Sequence, residues 1–404
     1  MVLEGGAGQW YAAALLQSAA AQHFFSYGIL RKEEWVRVFR EHGAAQEESA
    51  ALMNEGLPEN DALMNVRLPE GGAQKSQNAP YSASPSQNSE QIWARYQLDS
   101  AGAMLVVALR YAPDVEPESD EERAARSLAP LPVAKQGRPV AAVGRFARAN
   151  WYRETIARLA DCVKSISDEA RARGLPVFSP REWHRFSNSR FPEKALAVAA
   201  GLGTIGRNGL LIARRTGNAE SQDSRCTEIS SWPKWSSAVV LGLVLLPFDI
   251  GMEAGTLHDE PIMPLALCGT CQRCVDACPT GALALAELPR YERARCIQNY
   301  TSGTGLLPED IQSAWGNQLY GCDICLEACP YFKPDSEASS TLGRIGGAFD
   351  AAFIAAMSDT DLRAVFKGSA LDQKWIEPEA LKRNAAFAAG QLAGRSFDLQ
   401  SRLL

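Results

Sequence analysis

Cys268-Gly-Thr-Cys271-Gln-Arg-Cys274-Val-Asp-Ala-Cys278-Pro279 is followed, after a solitary Cys296, by Cys322-Asp-Ile-Cys325-Leu-Glu-Ala-Cys329-Pro330. These two runs and Cys296 hold eight of the ten cysteines of a 404-residue chain. Two residues between successive cysteines let one loop present three thiolates to a cubic iron–sulfur cluster. In the bacterial C-x2-C-x2-C-x3-C-P run the fourth cysteine serves the other cluster. That rule groups Cys268, Cys271, Cys274 and Cys329 around one 4Fe-4S cluster, and Cys278, Cys296, Cys322 and Cys325 around a second. Twenty-five residues lie between Cys296 and Cys322, which places Cys296 outside the second tight loop, yet eight thiolates still close two cubes. Pro279 and Pro330 turn the chain away once the last ligand of each run is delivered. Structural zinc and disulfides are the competing readings. Zinc motifs usually separate two C-x2-C pairs by a long loop, and disulfides suit oxidising compartments and small secreted chains. Neither pattern contains a triple C-x2-C-x2-C run ending in Cys-Pro.

Outward from this stretch, the length allows two or three domains and a sizeable core. A hydrophobic content of 46% is ordinary for a soluble globular protein. The net charge of −6 provides no global basic field, so any nucleic-acid contact, such as tRNA, requires a local patch. The first apolar run, Trp10 to Phe25, lacks a preceding basic region and contains Gln17, Gln22 and His23, unlike a secretory signal. The longest, Ala238 to Phe248, is too short to span a bilayer, so no membrane partner is expected. Oxygen-sensitive clusters without an export signal point to the cytoplasm. Cys162 and Cys226 read as buried bystanders.

Along the chain, residues 7–30 read as an Ala-rich core helix and residues 31–70 as charged helix. Residues 71–92, rich in Ser, Gln, Asn, Pro and Gly, read as a polar surface insertion. Met104 to Leu109 is a buried strand candidate, Asp114 to Glu122 an acidic loop, and Trp151 to Arg173 an amphipathic helix ending near Gly174. Val177-Phe178 is expected to open a strand, Phe191 to Ala200 to be helical, and Leu210–Ala213 and Ala238–Leu246 to be strands. Helices alternating with strands indicate an α/β domain. After Pro330 the chain reads as mostly helical, with Ser358 and Asp361 placed as a capping box and Pro378 as a helix start. The resulting division is 1–70, an N-terminal helical part; 71–92, the insertion; 93–260, the α/β domain; 261–335, the cysteine-rich domain; and 336–404, a helical C-terminal region.

The ordered set of segments resembles the epoxyqueuosine reductases, a family that uses cobalamin and two 4Fe-4S clusters. Met104 to Tyr111 is similar to the family's early core strand. Arg145-Phe-Ala-Arg-Ala-Asn-Trp-Tyr152 is similar to its Arg-Tyr-Ala-x-Gly-x-Asp-Tyr-His segment. Glu193-Lys-Ala-Leu-Ala through Gly206-Arg-Asn208 is similar to its Gly-Leu-Gly-x-x-Gly-Lys-Asn segment. Gly281-Ala282 after the first Cys-Pro, Gly321 before Cys322, Gly368-Ser-Ala-Leu371 and Arg383-Asn-Ala385 complete the likeness. The resemblance implies a cobalamin held between a nitroreductase-like α/β domain and a ferredoxin-like domain. It also implies reduction of an epoxide in a modified tRNA wobble base. Arg145, Gly201, Gly203, Gly206 and Asn208 are the cofactor-binding positions carried over. The glycines allow close approach to a flat ligand, or else form only a helix-to-strand turn.

The departures bear on chemistry. The family's acidic residue falls on Trp151, and its following histidine on Arg153. An indole donates a hydrogen bond but does not titrate as an acid. Tyr152 is the candidate proton donor in its place, with Arg145, Arg148 and Arg153 expected to lower its pKa; the competing reading is an ordinary packed aromatic. The family's Leu-Gly-Glu reads Leu241-Gly242-Leu243, and its Lys in Gly-Lys-Asn is Arg207. None of His23, His42, His184 and His258 lies in an Asp-x-His-x-x-Gly pattern, so a corrinoid is expected to bind without a protein histidine. Arginines at 138–158 and 171–190 could rim a phosphate site, though solvated or paired faces are the plainer reading. Three functions stay open: a divergent reductase fed by an external ferredoxin- or flavodoxin-type donor, a true tRNA epoxyqueuosine reductase, and a 4Fe-4S electron carrier without corrinoid.

Overall fold

The computed structural model describes residues 3, 6–41, 93, 98–189, 191–216, 233–250, 263–283, 292–305 and 307–390. The expected insertion at 71–92, most of the helical stretch expected over 31–70, and Cys226 lie outside the described residues.

Helix α1 (Gly6–Ala21) buries Tyr11, Ala12, Leu15 and Ala19. It does not continue to residue 30 as expected. His23 takes a left-handed φ of 56°, and Ser26–Leu30 forms strand β1. Tyr27 and Ile29 suit an extended chain, Gly28 is a poor helix former, and sheet pairing decides the outcome. Helix α2 occupies 32–41. Strand β2 (Met104–Arg110) is buried at all seven positions. The acidic stretch after it ends not as loop but as helix α3 (Asp120–Ala125), where Ser119 and Glu122 form a reciprocal capping box.

Strand β3 (Val140–Val143) precedes the long helix α4 (Trp151–Ala172). Asn150 caps α4 by accepting from the Arg153 N–H, and Gly174, at φ 67°, ends it. No strand forms at Val177-Phe178. The Phe178 ring packs on Phe248 and Trp183 instead, and strand β4 begins later, as His184–Phe186. Helix α5 (Glu193–Ala199) stops in a Schellman turn: Leu202 N–H donates to Ala197 O and Gly201 N–H to Val198 O, with Gly201 at φ 71°. Strands β5 (Gly203–Ile205), β6 (Leu211–Arg214) and β7 (Trp235–Ser236) form a small antiparallel sheet. Strand β8 (Val239–Leu245) returns to the main sheet.

The main sheet has the order β1-β2-β8-β4 and is antiparallel throughout. Helices and strands alternate along the chain as expected, but the pairing does not use parallel crossovers. Successive residues of β2 point to opposite faces. Leu105, Val107 and Leu109 enter a core shared with α1 and α4, whereas Met104, Val106 and Ala108 enter one shared with α5. Burial on both faces explains why β2 reads as an unbroken apolar run.

The cysteine-rich segment contributes helix α6 (Arg273–Ala277), helix α7 (Glu309–Ser313), strand β9 (Gln318–Tyr320) and helix α8 (Ile324–Glu327). Beyond it come strand β10 (Ala348–Asp350) and helices α9 (Ala351–Ala356), α10 (Asp359–Phe366) and α11 (Pro378–Ala388). Ser358 caps α10 by accepting from the Asp361 N–H, and Pro378 occupies the first turn of α11. A three-stranded sheet of order β10-β3-β9, with β3 parallel to β9, ties the cysteine-rich segment to the segments on both sides of it.

Candidate metal centre

Each cysteine run ends on a short helix, α6 or α8, and the two helices pack together. Cys274 lies within α6 and Cys278 immediately after it; Cys325 lies within α8 and Cys329 two residues after it. Four residues of helix advance the chain by about 6 Å. That step carries the last cysteine of each run away from those before it. One cavity, of about 210 Å³, is lined by Cys268, Cys271, Cys274 and Cys329, together with Gly206, Arg207 and Asn208. A second, of about 140 Å³, is lined by Cys278, Cys296, Cys322 and Cys325, together with Lys194, Asn208, Gly209 and Leu210. The eight cysteines therefore divide between two cavities in the same four-and-four grouping that their spacing gives.

The thiols ring open space. Among the described residues no three His, Cys, Asp or Glu side chains converge as a single metal ion needs, and every described cysteine is free. Burial pushes the Cys322 thiol up to about 11 and raises that of Cys325 further. Cluster insertion must displace those protons. Burial also acts to raise Cys278, but donors at Thr280, Ala282 and Leu283 outweigh it and lower its pKa. The Arg207 N–H donates to Cys268 Sγ at 3.3 Å, while its guanidinium holds the same loop through Cys271 O and Gly269 O. Asn208 lines both cavities. Its Oδ1 accepts from the Leu210 N–H, and its buried Nδ2 has no partner. A donor set of eight thiols, with an orphaned amide N–H between the two cavities, fits two iron–sulfur clusters. The inorganic sulfides of such clusters would supply the acceptor that Asn208 lacks.

The long spacing between Cys296 and Cys322 is held from the C-terminal side. The buried Arg383 guanidinium donates to the carbonyls of Tyr300, Gly303 and Gly305. Asn384 Nδ2 donates to Thr301 O and Leu319 O. Gln298 in turn accepts from the Cys322 N–H. The Arg383-Asn384 pair thus braces the loop between two ligands of the second set.

The other sequence-derived candidates fare differently. Gly201 is required by its left-handed turn. Gly203 is required by strand pairing, since a Cβ there would lie 2.1 Å from Ile212 O. Both follow the helix-to-strand reading; Gly206 and Asn208 face the first cavity. Arg145 is committed to the protein itself: its Nε donates to Glu327 on α8 at 2.8 Å, and Nη1 pairs with Asp114 and Pro113 O. Trp151 is fully buried in the core, its indole N–H without a partner. Tyr152 is not acidified by arginines. Burial raises its hydroxyl well above 10, and the charges acting on it are those of Tyr320, Glu193, Tyr111 and Asp323. The arginine run is largely paired, Arg138 with Asp350, Arg148 with Asp114, Arg158 with Glu154, and Arg171 and Arg173 with Asp168 and Glu169.

Two carboxyls near Tyr152 were not singled out from the sequence. Asp323 accepts the Arg145 N–H at 2.6 Å, and burial raises its pKa. Glu193 opens α5 beside the cavity-lining Lys194, and burial pushes its carboxyl up to about 7. Its position in the Glu193-Lys-Ala-Leu-Ala segment was the available signal.

Comparison with known proteins agrees with this geometry. Residues 267–332 match the model of a 4Fe-4S double cluster binding domain. The epoxyqueuosine reductase of Burkholderia pseudomallei is 31% identical over 241 residues, 58% of this chain and 52% of that one. Those of Bacillus subtilis and Lactococcus garvieae are 28% and 26% identical, over 47% and 63% of this chain and 41% and 63% of theirs. The matched stretch thus spans about half the length of these relatives. The structure of epoxyqueuosine reductase from Streptococcus thermophilus superposes with a TM-score of 0.56 at 18% identity, covering 95% of this chain and 82% of that one. A crystal structure of epoxyqueuosine reductase with an epoxyqueuosine-modified tRNA-Tyr stem loop gives 0.54 at 18% identity, over 94% and 81% of the two chains. In sequence and in fold the chain is similar to the epoxyqueuosine reductases, and its residues 267–332 match a 4Fe-4S double cluster binding domain.

Proposed function

We propose that this chain is an iron–sulfur reductase of the epoxyqueuosine-reductase type, with the eight cysteines as ligands in the two groups of four. The division of those thiols between two adjoining cavities carries the reading. Residues 269–273 on the first cavity's loop are mostly exposed, which suits approach of an external ferredoxin- or flavodoxin-type donor. The second cavity is walled on one side by Lys194 and Asn208 to Leu210 of the α/β part, which suits it to face the reducible centre. Clusters held by the two sets would supply single electrons, and a corrinoid held beside the second set would supply the cobalt for substrate reduction. Of the corrinoid positions carried over from the family, Gly206 lines the first cavity and Asn208 both, while the cationic Lys194 lines the second. The protein holds the cysteine loops in place through Arg207 and Arg383.

The proposed substrate is that of the relatives, the epoxide of a modified wobble base in tRNA, bound in the cytoplasm through a local basic patch. Anaerobically reconstituted protein, given cobalamin, a low-potential donor and an epoxyqueuosine-modified stem loop, is expected to yield queuosine by nucleoside mass spectrometry. No conversion by protein that holds about eight irons and a corrinoid overturns the substrate reading. One observation favours a different substrate on the same machinery: Trp151 seals into the core the position where the family carries its acid.

A further inference from the structure

The turn that joins β5 to β6 enters the space between the two cysteine sets. Gly206, Arg207 and Asn208 line the first cavity, and Asn208, Gly209 and Leu210 line the second. Of the described residues that line either one, Asn208 alone lines both. We propose that the Asn208 side-chain amide is a hydrogen-bond donor shared by the two clusters, and that it sets the reduction potential of each. The inference rests on the two-cluster reading above. It gives Asn208, a corrinoid position by resemblance, a place between the clusters instead.

The turn presents that amide in a fixed pose. Gly206 N–H donates to Leu210 O and Gly209 N–H to Gly206 O, both at 2.9 Å, with Gly209 at φ 70°. A Cβ at Gly206 would lie 3.2 Å from Asn208 Oδ1, so glycine leaves room for the side chain. The turn is also tied to what lies on either side of it. Arg207 N–H donates to Cys268 Sγ at 3.3 Å, Gly209 O accepts the Lys194 ammonium at 2.7 Å, and Leu265 N–H donates to Ile205 O. Asn208 is 7% exposed, and its Oδ1 accepts the Leu210 N–H at 3.2 Å. That bond fixes which end of the amide is oxygen and leaves the NH2 end for the cavities. Among the described residues Nδ2 has no partner, and a buried donor left unmade is disfavoured. An amide NH2 carries two hydrogens, one for each side.

The effect on reduction is electrostatic. When the external low-potential donor reduces either cluster, one electron arrives, no bond breaks and no proton moves. Asn208 then faces sulfur that carries more negative charge, and a hydrogen bond to a charged acceptor is the stronger one. Asn208 therefore favours the reduced form on both sides, in keeping with the general influence of hydrogen bonds to cluster sulfurs. Because one side chain serves both sets, its loss moves both potentials together.

The test uses anaerobically reconstituted wild type, Asn208→Ala and Asn208→Asp, with iron counted and each cluster followed by electron paramagnetic resonance through a redox titration. Asn208→Asp keeps the acceptor for the Leu210 N–H and loses the donor, so it separates donation from support of the turn. All three are expected to hold about eight irons. Asn208→Ala should shift the one-electron reduction equilibrium of both clusters by about tenfold, a potential lower by about 59 mV. Asn208→Asp, ionised at about pH 8, should lower both further. Wild type carrying heavy nitrogen in its asparagine side chains should show nitrogen coupling to the reduced clusters by electron spin-echo modulation, and Asn208→Ala should lack it. The labelled wild type reads the contact even where a variant loads poorly. Unshifted potentials in loaded Asn208→Ala, a shift in one cluster alone, or no asparagine coupling in wild type overturns the inference. Wild type that loads no iron fails the two-cluster reading and the inference with it, whereas equal potentials in fully loaded proteins fail the Asn208 assignment alone.

Discussion

Replacing Arg383 with Ala should unfasten the second cysteine set while leaving the first in place. Arg383 is 4% exposed, and its guanidinium holds three carbonyls of the loop that links Cys296 to Cys322. Hydrogen bonds to a charged donor contribute about 1.5–3 kcal/mol each. Water entering the vacated space restores part of that, so a net loss of about 3–5 kcal/mol is expected. The guanidinium also lies 5.8 Å from the Trp315 ring centroid, a contact that contributes about 1 kcal/mol. In a chain of this size the change corresponds to a melting point lower by roughly 5 °C. Because the released loop joins two ligands of one set only, iron in anaerobically purified protein should fall from about eight to about four per chain. Spin quantitation by electron paramagnetic resonance should show a single remaining cluster. Arg383→Lys keeps a charge but not the fork, and should fall between the two. Retention of all iron with an unchanged melting point, or loss of the Cys268 set before the Cys322 set, would refute the assignment of this side chain as the brace.

Cys274→Ser and Cys278→Ser, four residues apart, should each halve the iron content but remove different clusters, distinguishable by their resonance spectra. The same spectrum from both variants would contradict the two-cavity grouping. Gly203→Ala places a methyl against Ile212 O and should lower stability by at least about 3 kcal/mol, measured by urea unfolding. Trp151→Phe removes a buried indole N–H that lacks a partner; relief of that donor, about 1–3 kcal/mol, offsets much of the lost packing, so the melting point should move by only a few degrees. Glu193 holds its proton in the folded state up to about pH 7, against an ordinary value of 4.5. Between those values the unfolded chain has lost a proton that the native state keeps, so stability should decline with rising pH, by about 3 kcal/mol in all. Glu193→Gln should abolish that slope in unfolding midpoints taken at pH 5 and pH 8.

The cysteine grouping could be read from spacing because ligand geometry is local: two residues between thiols and a short helix leave few arrangements. Strands β2 and β8 were likewise visible, since a sheet buried on both faces writes a continuous apolar run. Where pairing partners decide, the sequence misled. Ser26–Leu30 looks like the tail of an Ala-rich helix until β2 is beside it. Val177-Phe178 has the composition of a strand but no partner, and Phe178 goes to an aromatic cluster. The same holds for charge. Arg145 and Tyr152 are neighbours along the chain, yet Arg145 is drawn off by Glu327, 182 positions away, and Tyr152 is left among acidic and phenolic groups. The perturbation of Glu193 depends on burial in the folded chain, which no local window reports.

The placing of Cys278 and Cys329 in each other's neighbourhoods has a bearing on biosynthesis. Neither inorganic cube can be completed from one run alone, so a nascent chain that has emerged only as far as Pro279 offers three thiols to one site and a single thiol to the other. Assembly factors that deliver iron and sulfide must therefore wait until Cys329 has left the ribosome, and during that interval the early cysteines stand open to air and to oxidants. Yield of loaded protein should consequently respond to translation speed across residues 279–329 more than to expression level.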